Sequence, residues 1–182
     1  MHPILTLVGP SGSGKSTLIK ALIAKYPDRV EITRSLTTRP KRNEEDDLFY
    51  TFTTPEDIKR RQAEGKLTHY AEYAGNLYAT DREELTKILN HKIAIAALVE
   101  DGVRSLRKAG FEVVVIKIRP QTTDNRRQEL EVRGDEERRR KADRERAQTD
   151  LEADYEIVNS FETGGLERAI GELEEIIEEL TN

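Results

Sequence analysis

The chain has no cysteine, no tryptophan, one methionine and only three histidines in 182 residues. Without cysteine there is neither a disulfide scaffold nor a thiolate metal site, and His2, His69 and His91 are too scattered for a zinc-ligating pattern. Long apolar runs are missing too. The longest, Ile93 to Val99, falls far short of the ~20 residues that a membrane span requires. No basic stretch precedes the first apolar run and no small-residue cleavage pattern follows it, so no secretory signal is expected and the expected location is cytoplasmic. Hydrophobic residues make up 36% of the chain, no more than charged ones, and the formal charge is −5. Such a polar balance raises the question of disorder. The apolar residues nevertheless gather into strand-spaced and helix-spaced blocks, enough for one modest core in one domain or one domain with a small insertion.

Ile4 to Val8 reads as a buried strand, ended by Gly9 and Pro10, and Leu18, Ile19, Leu22 and Ile23 recur at helical spacing until Tyr26-Pro27. The alternation continues with Lys92 to Val99 as strand, Gly102 to Ala109 as helix, Val113 to Ile118 as strand and Tyr155 to Val158 as strand. Strands alternating with helices predict an α/β fold with a parallel sheet covered on both faces. An amphipathic helix, Leu166 to Leu180, would dock on it.

Between these units the rhythm changes. Leu48 to Phe52, Leu67 to Tyr73 and Asn76 to Ala79 are short, aromatic and separated by polar turns, which suits a small antiparallel insertion. Helices are expected there over Pro55 to Glu64, with proline at a favoured first position, and over Asp81 to Leu89, with aspartate as N-cap. The expected division is a core of residues 1–32 and 91–182 and an insertion of 33–90. A segment of about 120–150 is dense in arginine and acid, either a solvated ion-paired helix or a mobile lid that brings arginines to a polyanion. Its balancing acids and the net negative charge argue against nucleic-acid binding.

Gly9-Pro10-Ser11-Gly12-Ser13-Gly14-Lys15-Ser16 fits G-x-x-x-x-G-K-[ST] and lies where that motif works, between a buried strand and a helix start. The loop can turn successive backbone N–H groups onto phosphate oxygens, and the helix adds its positive end. Gly9, Ser11, Gly12, Ser13, Gly14, Lys15, Ser16 and Thr17 are therefore the expected ATP-binding residues. Lys15 supplies positive charge to the β- and γ-phosphates, and the Ser16 hydroxyl is a ligand for the Mg²⁺ that bridges them. The motif does not name the acceptor, because unrelated activities share it.

The acceptor side carries a resemblance. Thr37-Thr38-Arg39-Pro40-Lys41-Arg42, the following Tyr50, and Gly75-Asn76-Leu77-Tyr78-Ala79-Thr80 resemble the guanylate kinase family, as do Arg133-Gly134-Asp135 with Arg144 and the final Asp154 to Asn159. The resemblance covers nearly the whole chain. It implies a P-loop NTPase-type sheet with a mixed acceptor-binding insertion and a helical lid. It implies transfer of the γ-phosphoryl group of ATP to GMP or dGMP. Ser35, Arg39, Arg42, Tyr50 and Tyr78 would hold the acceptor's phosphate, Thr80 would face the base, and Arg133 and Arg144 would close over the transferred group, joining Lys15 and Arg39 as catalytic residues.

Some positions depart from the family pattern. His69 stands where the family has a base-reading glutamate, Ala97 and Val99 stand where it has two aspartates, and the loop from Asn43 to Phe49 has lost its glycines. Glu72 is the nearby acid that could take the glutamate's place, and Glu100 or Asp101 could supply a strand-end carboxylate. Asp46 and Asp47, neighbouring acids on a polar loop, read as solvated. Another nucleoside monophosphate or ribose 1,5-bisphosphate remains an alternative acceptor, and a catalytically inactive binding module is the alternative of another class. The intact Gly14-Lys15-Ser16 argues against the last. Small nucleotides are the expected partners, with no nucleic acid and no membrane, and the chain is expected to be a monomer or homodimer.

Overall fold

A computed structural model describes residues 1–10, 12–121, 151–160 and 162–181. Its central feature is a five-stranded, all-parallel sheet in the order β2-β7-β1-β8-β9. The strands are β1 (Ile4–Val8), β2 (Val30–Ile32), β7 (Ile93–Ala97), β8 (Val113–Pro120) and β9 (Tyr155–Asn159). All five residues of β1 are buried, as a middle strand covered on both faces must be.

Alternate residues of that strand feed two cores. Leu5 and Leu7 pack with Leu18, Ile19 and Leu22 of α1 (Lys15–Lys25) and with Leu173 and Ile177 of the last helix, α6 (Gly165–Thr181). Ile4 and Val8 face the other way, onto Leu85 and Leu89 of α4 (Arg82–Leu89) and Val103 and Leu106 of α5 (Glu100–Lys108).

A second sheet has four strands in the order β4-β3-β6-β5. These are β3 (Ser35–Thr37), β4 (Tyr50–Phe52), β5 (Leu67–Tyr73) and β6 (Asn76–Asp81). The short helix α2 (Asp46–Phe49) precedes β4, and α3 (Pro55–Ala63) covers one face through Ile58, packed with Leu36, Ala79, Tyr70 and Leu77. The expected Asp81 cap forms, its Oδ1 accepting from Glu83 and Glu84 at 2.9 and 3.1 Å, and α3 is capped by Thr54, whose Oγ1 accepts from the Asp57 amide at 3.2 Å.

Three sequence expectations differ from this fold. The second sheet is mixed rather than antiparallel, since β4 runs parallel to β3 while β5 and β6 pair antiparallel. A parallel neighbour needs a crossover rather than a hairpin, and the long 38–49 connection supplies it. Leu48 and Phe49, expected in a strand, belong to α2. The strands β2 and β3 went unread because each has only three residues, too few for periodicity to register. The 120–150 segment lies largely outside the described residues.

Candidate functional site

The loop from β1 to α1 curls through glycines. Gly9 has φ 147° and a Cβ there would collide with the Ile118 carbonyl of β8, so a side chain is excluded on two counts. Gly14, with φ 85°, caps α1 in the left-handed region and leaves the helix's first N–H groups facing the loop. Lys15 folds back over the loop, its Nζ donating to the carbonyls of Gly9 at 2.8 Å and Pro10 at 2.7 Å and to Ser13 Oγ at 3.3 Å. Ser16 and Thr17 are exposed in the first turn, Gly12 and Ser13 are buried, and Ser11 lies outside the described residues.

The far side of the loop is anchored by a residue the motif does not include. Asn159, at the end of β9 and 3% exposed, donates from Nδ2 to the Ser13 carbonyl at 2.9 Å. The geometry of the loop therefore depends on the last strand of the sheet.

One face of the second sheet gathers most of the acceptor-side residues. Directly paired strand residues point to the same face, so the pairs Ser35–Tyr50, Thr37–Phe52, Thr37–Tyr78 and His69–Thr80 lie on one side of it. Tyr50 and Tyr78 meet edge-on with centroids 6.1 Å apart. Arg39 closes this end: its guanidinium lies 4.7 Å from the Tyr50 ring centroid and 5.8 Å from that of Phe52. Arg39 is buried, and its Nη2 pairs with Asp46 Oδ1 at 2.8 Å. Burial, the largest single influence, would lower the guanidinium pKa, but the Asp46 hydrogen bond and charge together with the Tyr50 and Tyr78 phenols outweigh it and the net shift is upward. Burial likewise opposes ionisation of Asp46, yet Arg39 and the Arg42 amide, which donates to Oδ2 at 2.8 Å, hold its carboxyl below the usual range. Asp46 is therefore not the solvated acid expected from its sequence neighbourhood.

The remaining expected residues divide. Arg42 is exposed on the loop beside Asp46. Glu72 is not brought to the site: it pairs with Leu77 on the opposite face of the sheet and is exposed, because residues 69, 71 and 73 of β5 alternate with 70 and 72. Arg133 and Arg144 lie outside the described residues. The acceptor loop is joined to the phosphate-loop helix by an ion pair between Glu45 and Lys20 of α1, and Phe49 packs against the main core.

At the other end of the same face His69 is buried, with neither ring nitrogen hydrogen-bonded among the described residues. A Cβ placed on Gly102 of α5 would lie 2.5 Å from its Nε2, so the ring rests directly on that helix turn. Burial pushes its pKa down to about 4 against the opposing pull of Asp101. The imidazole is therefore neutral at pH 7. Among the described residues there is no group of three or more side chains that could hold a metal ion and no helix long and apolar enough to cross a membrane.

The sequence profile described as Guanylate kinase matches residues 1–180. The guanylate kinase of Synechococcus sp. (strain CC9311) is 34% identical over 175 residues, which span 92% of this chain and 90% of that one. That of Symbiobacterium thermophilum is 34% identical over 183 residues, spanning 96% and 83%. The crystal structure of guanylate kinase from Anaplasma phagocytophilum superposes with a TM-score of 0.70 at 23% identity, covering 97% of this chain and 85% of that one, and shares its fold.

Proposed function

The chain belongs to the guanylate kinase family, ATP-dependent nucleoside monophosphate kinases, and we propose that it moves the γ-phosphoryl group of ATP, held by the glycine loop, onto GMP or dGMP held at the Arg39 end of the second sheet. The observation that carries this reading is the buried Arg39, stacked on Tyr50 at 4.7 Å on the sheet face shared by Ser35, Tyr78 and Thr80. A buried guanidinium framed by phenols and a serine hydroxyl suits a phosphomonoester, whose oxygens accept from all of them.

In this reading residues 33–90 form the acceptor-binding part and the parallel sheet carries ATP. The glycine loop's N–H groups and Lys15 take the ATP phosphates. Lys15 would exchange its contacts with the Gly9 and Pro10 carbonyls for phosphate oxygens, keeping its charge where the transition state becomes more negative. Ser16, exposed in the first turn of α1, fits as a hydroxyl ligand for an Mg²⁺ that arrives with ATP, the metal offsetting phosphate charge. Arg39, Arg42, Tyr50, Tyr78 and Ser35 hold the acceptor phosphate in line, and Thr80 faces the base. Arg133 and Arg144 complete the charge stabilisation as lid residues. A cytoplasmic location, where both nucleotides are available, belongs to the same reading.

A coupled assay of ADP formation from ATP with GMP, dGMP, AMP, UMP, CMP and ribose 1,5-bisphosphate as acceptors tests it. Turnover highest with GMP or dGMP is the expected result. Turnover highest with another acceptor, or none with any, would overturn the substrate assignment.

A further inference from the structure

The carboxylate on Arg39 has a consequence for which acceptors can enter. Arg39 is enclosed: Tyr50 and Phe52 lie over its guanidinium, Nη1 donates to the Pro40 carbonyl at 3.2 Å, and Asp46 takes Nη2, leaving the side chain 4% exposed. A phosphate can reach the fork only if one of these neighbours moves. Two are aromatic rings of a sheet strand and one is the adjacent backbone. Asp46 is the anionic neighbour, and it sits at the start of a four-residue helix after the exposed stretch 40–45.

Asp46 also uses both of its oxygens as a bound anion would, Oδ1 on Arg39 Nη2 and Oδ2 on the Arg42 amide, each at 2.8 Å. The other acids of the loop are engaged elsewhere: Glu45 with Lys20, and Glu44 and Asp47 with Lys41 at 3.5 and 2.6 Å. A phosphate beside a carboxylate that stayed in place would face like charge at close range in a partly buried site.

Resting on the reading that Arg39 grips the acceptor's phosphate, we propose that Asp46 is a specificity-determining residue, a resident anion that gives up Arg39 and the Arg42 amide only to a phosphomonoester dianion. A dianion carries one more charge than the carboxylate and has three oxygens with which to replace two lost contacts. A singly charged ligand, such as a protonated monoester or a phosphodiester, lacks that advantage and leaves Asp46 in place. Asp46 is held well ionised by its partners, so the exchange is driven by the entering charge and not by protonation of Asp46 in the neutral range.

The test compares wild type with Asp46→Asn and Asp46→Ser by steady-state kinetics with ATP and GMP, with inorganic phosphate as inhibitor against GMP and Arg39→Ala in parallel. Both Asp46 variants should lower the KM for GMP by roughly three- to tenfold, the scale of a partly buried ion pair, and leave the KM for ATP unchanged. Inorganic phosphate should inhibit the wild type more strongly as rising pH removes its second proton, and this dependence should flatten in Asp46→Asn. A KM for GMP that stays or rises in folded Asp46 variants, or phosphate inhibition of the wild type that is indifferent to pH, overturns the role of Asp46. An unchanged KM for GMP in Arg39→Ala overturns the acceptor-grip reading itself, whatever the Asp46 variants do.

Discussion

Asn159 Nδ2 donates to the carbonyl of Ser13 at 2.9 Å, so the end of the last strand holds the middle of the phosphate loop across a sequence separation of 146 residues. Asn159→Ala leaves that carbonyl without its partner in a buried site and should cost about 1–3 kcal/mol of stability. It should also raise the KM for ATP while the KM for GMP changes little. Urea unfolding and two-substrate kinetics check both halves.

Lys15→Ala removes a side-chain charge that lies over the glycine loop. The kcat is expected to fall by about 10²- to 10³-fold or more, the scale of losing one preorganised donor to transition-state charge. Stability should change by much less than activity, about 1 kcal/mol per hydrogen bond lost, because the Gly9, Pro10 and Ser13 contacts are partly solvent-exposed. ATP-dependent GDP formation that persists at the wild-type rate would contradict the role of Lys15.

Arg39→Ala should raise the KM for GMP and lower kcat, with the KM for ATP nearly unaltered. Arg39→Lys should not restore activity. An ammonium cannot stack on Tyr50 as a plane or present two parallel donors to one phosphate. Equal weakening of both substrates, or full rescue by lysine, would count against the assignment.

His69 makes stability depend on pH in a definite direction. Its folded pKa of about 4 lies below the ordinary 6.5, so between these values the unfolded chain binds a proton that the folded chain refuses. Stability contributed by the neutral ring is therefore complete above pH 6.5 and is lost as the pH falls towards 4, by up to about 3 kcal/mol in total. His69→Leu should remove this dependence and be favoured over wild type most at pH 4 to 5. Urea melts of both proteins at pH 7.5, 5 and 4 measure the difference directly, because the titrating carboxylates are common to both.

Gly102→Ala should be destabilising by about 1–3 kcal/mol, since the new methyl meets the His69 ring at 2.5 Å on the buried side of α5. Combining it with His69→Ala should recover part of that loss. A double-mutant cycle showing strict additivity would mean the two sites do not touch in solution.

The parts of the fold legible in the sequence were those written in local chemistry. A five-residue apolar run, a glycine loop and a 3.6-spaced helix specified β1, the phosphate loop and α1, and Pro55 and Asp81 marked where α3 and α4 begin. Period-two alternation alone would have separated His69 from Glu72, but matching family positions by type suggested Glu72 as a substitute, and the structure puts it on the other face. Strands β2 and β3 escaped because three residues contain too little alternation to stand out.

Sequence alone determined the phosphate loop, the parallel character of the central sheet and where α3 and α4 begin, because each is fixed by backbone freedom, capping groups and hydrophobic spacing within a few consecutive residues. Tertiary structure decided which charges meet. That Asp46 sits on Arg39, that Asn159 holds Ser13 and that His69 is sealed against Gly102 follow from loops and strand ends brought together by packing, and such contacts leave no periodic trace in the chain.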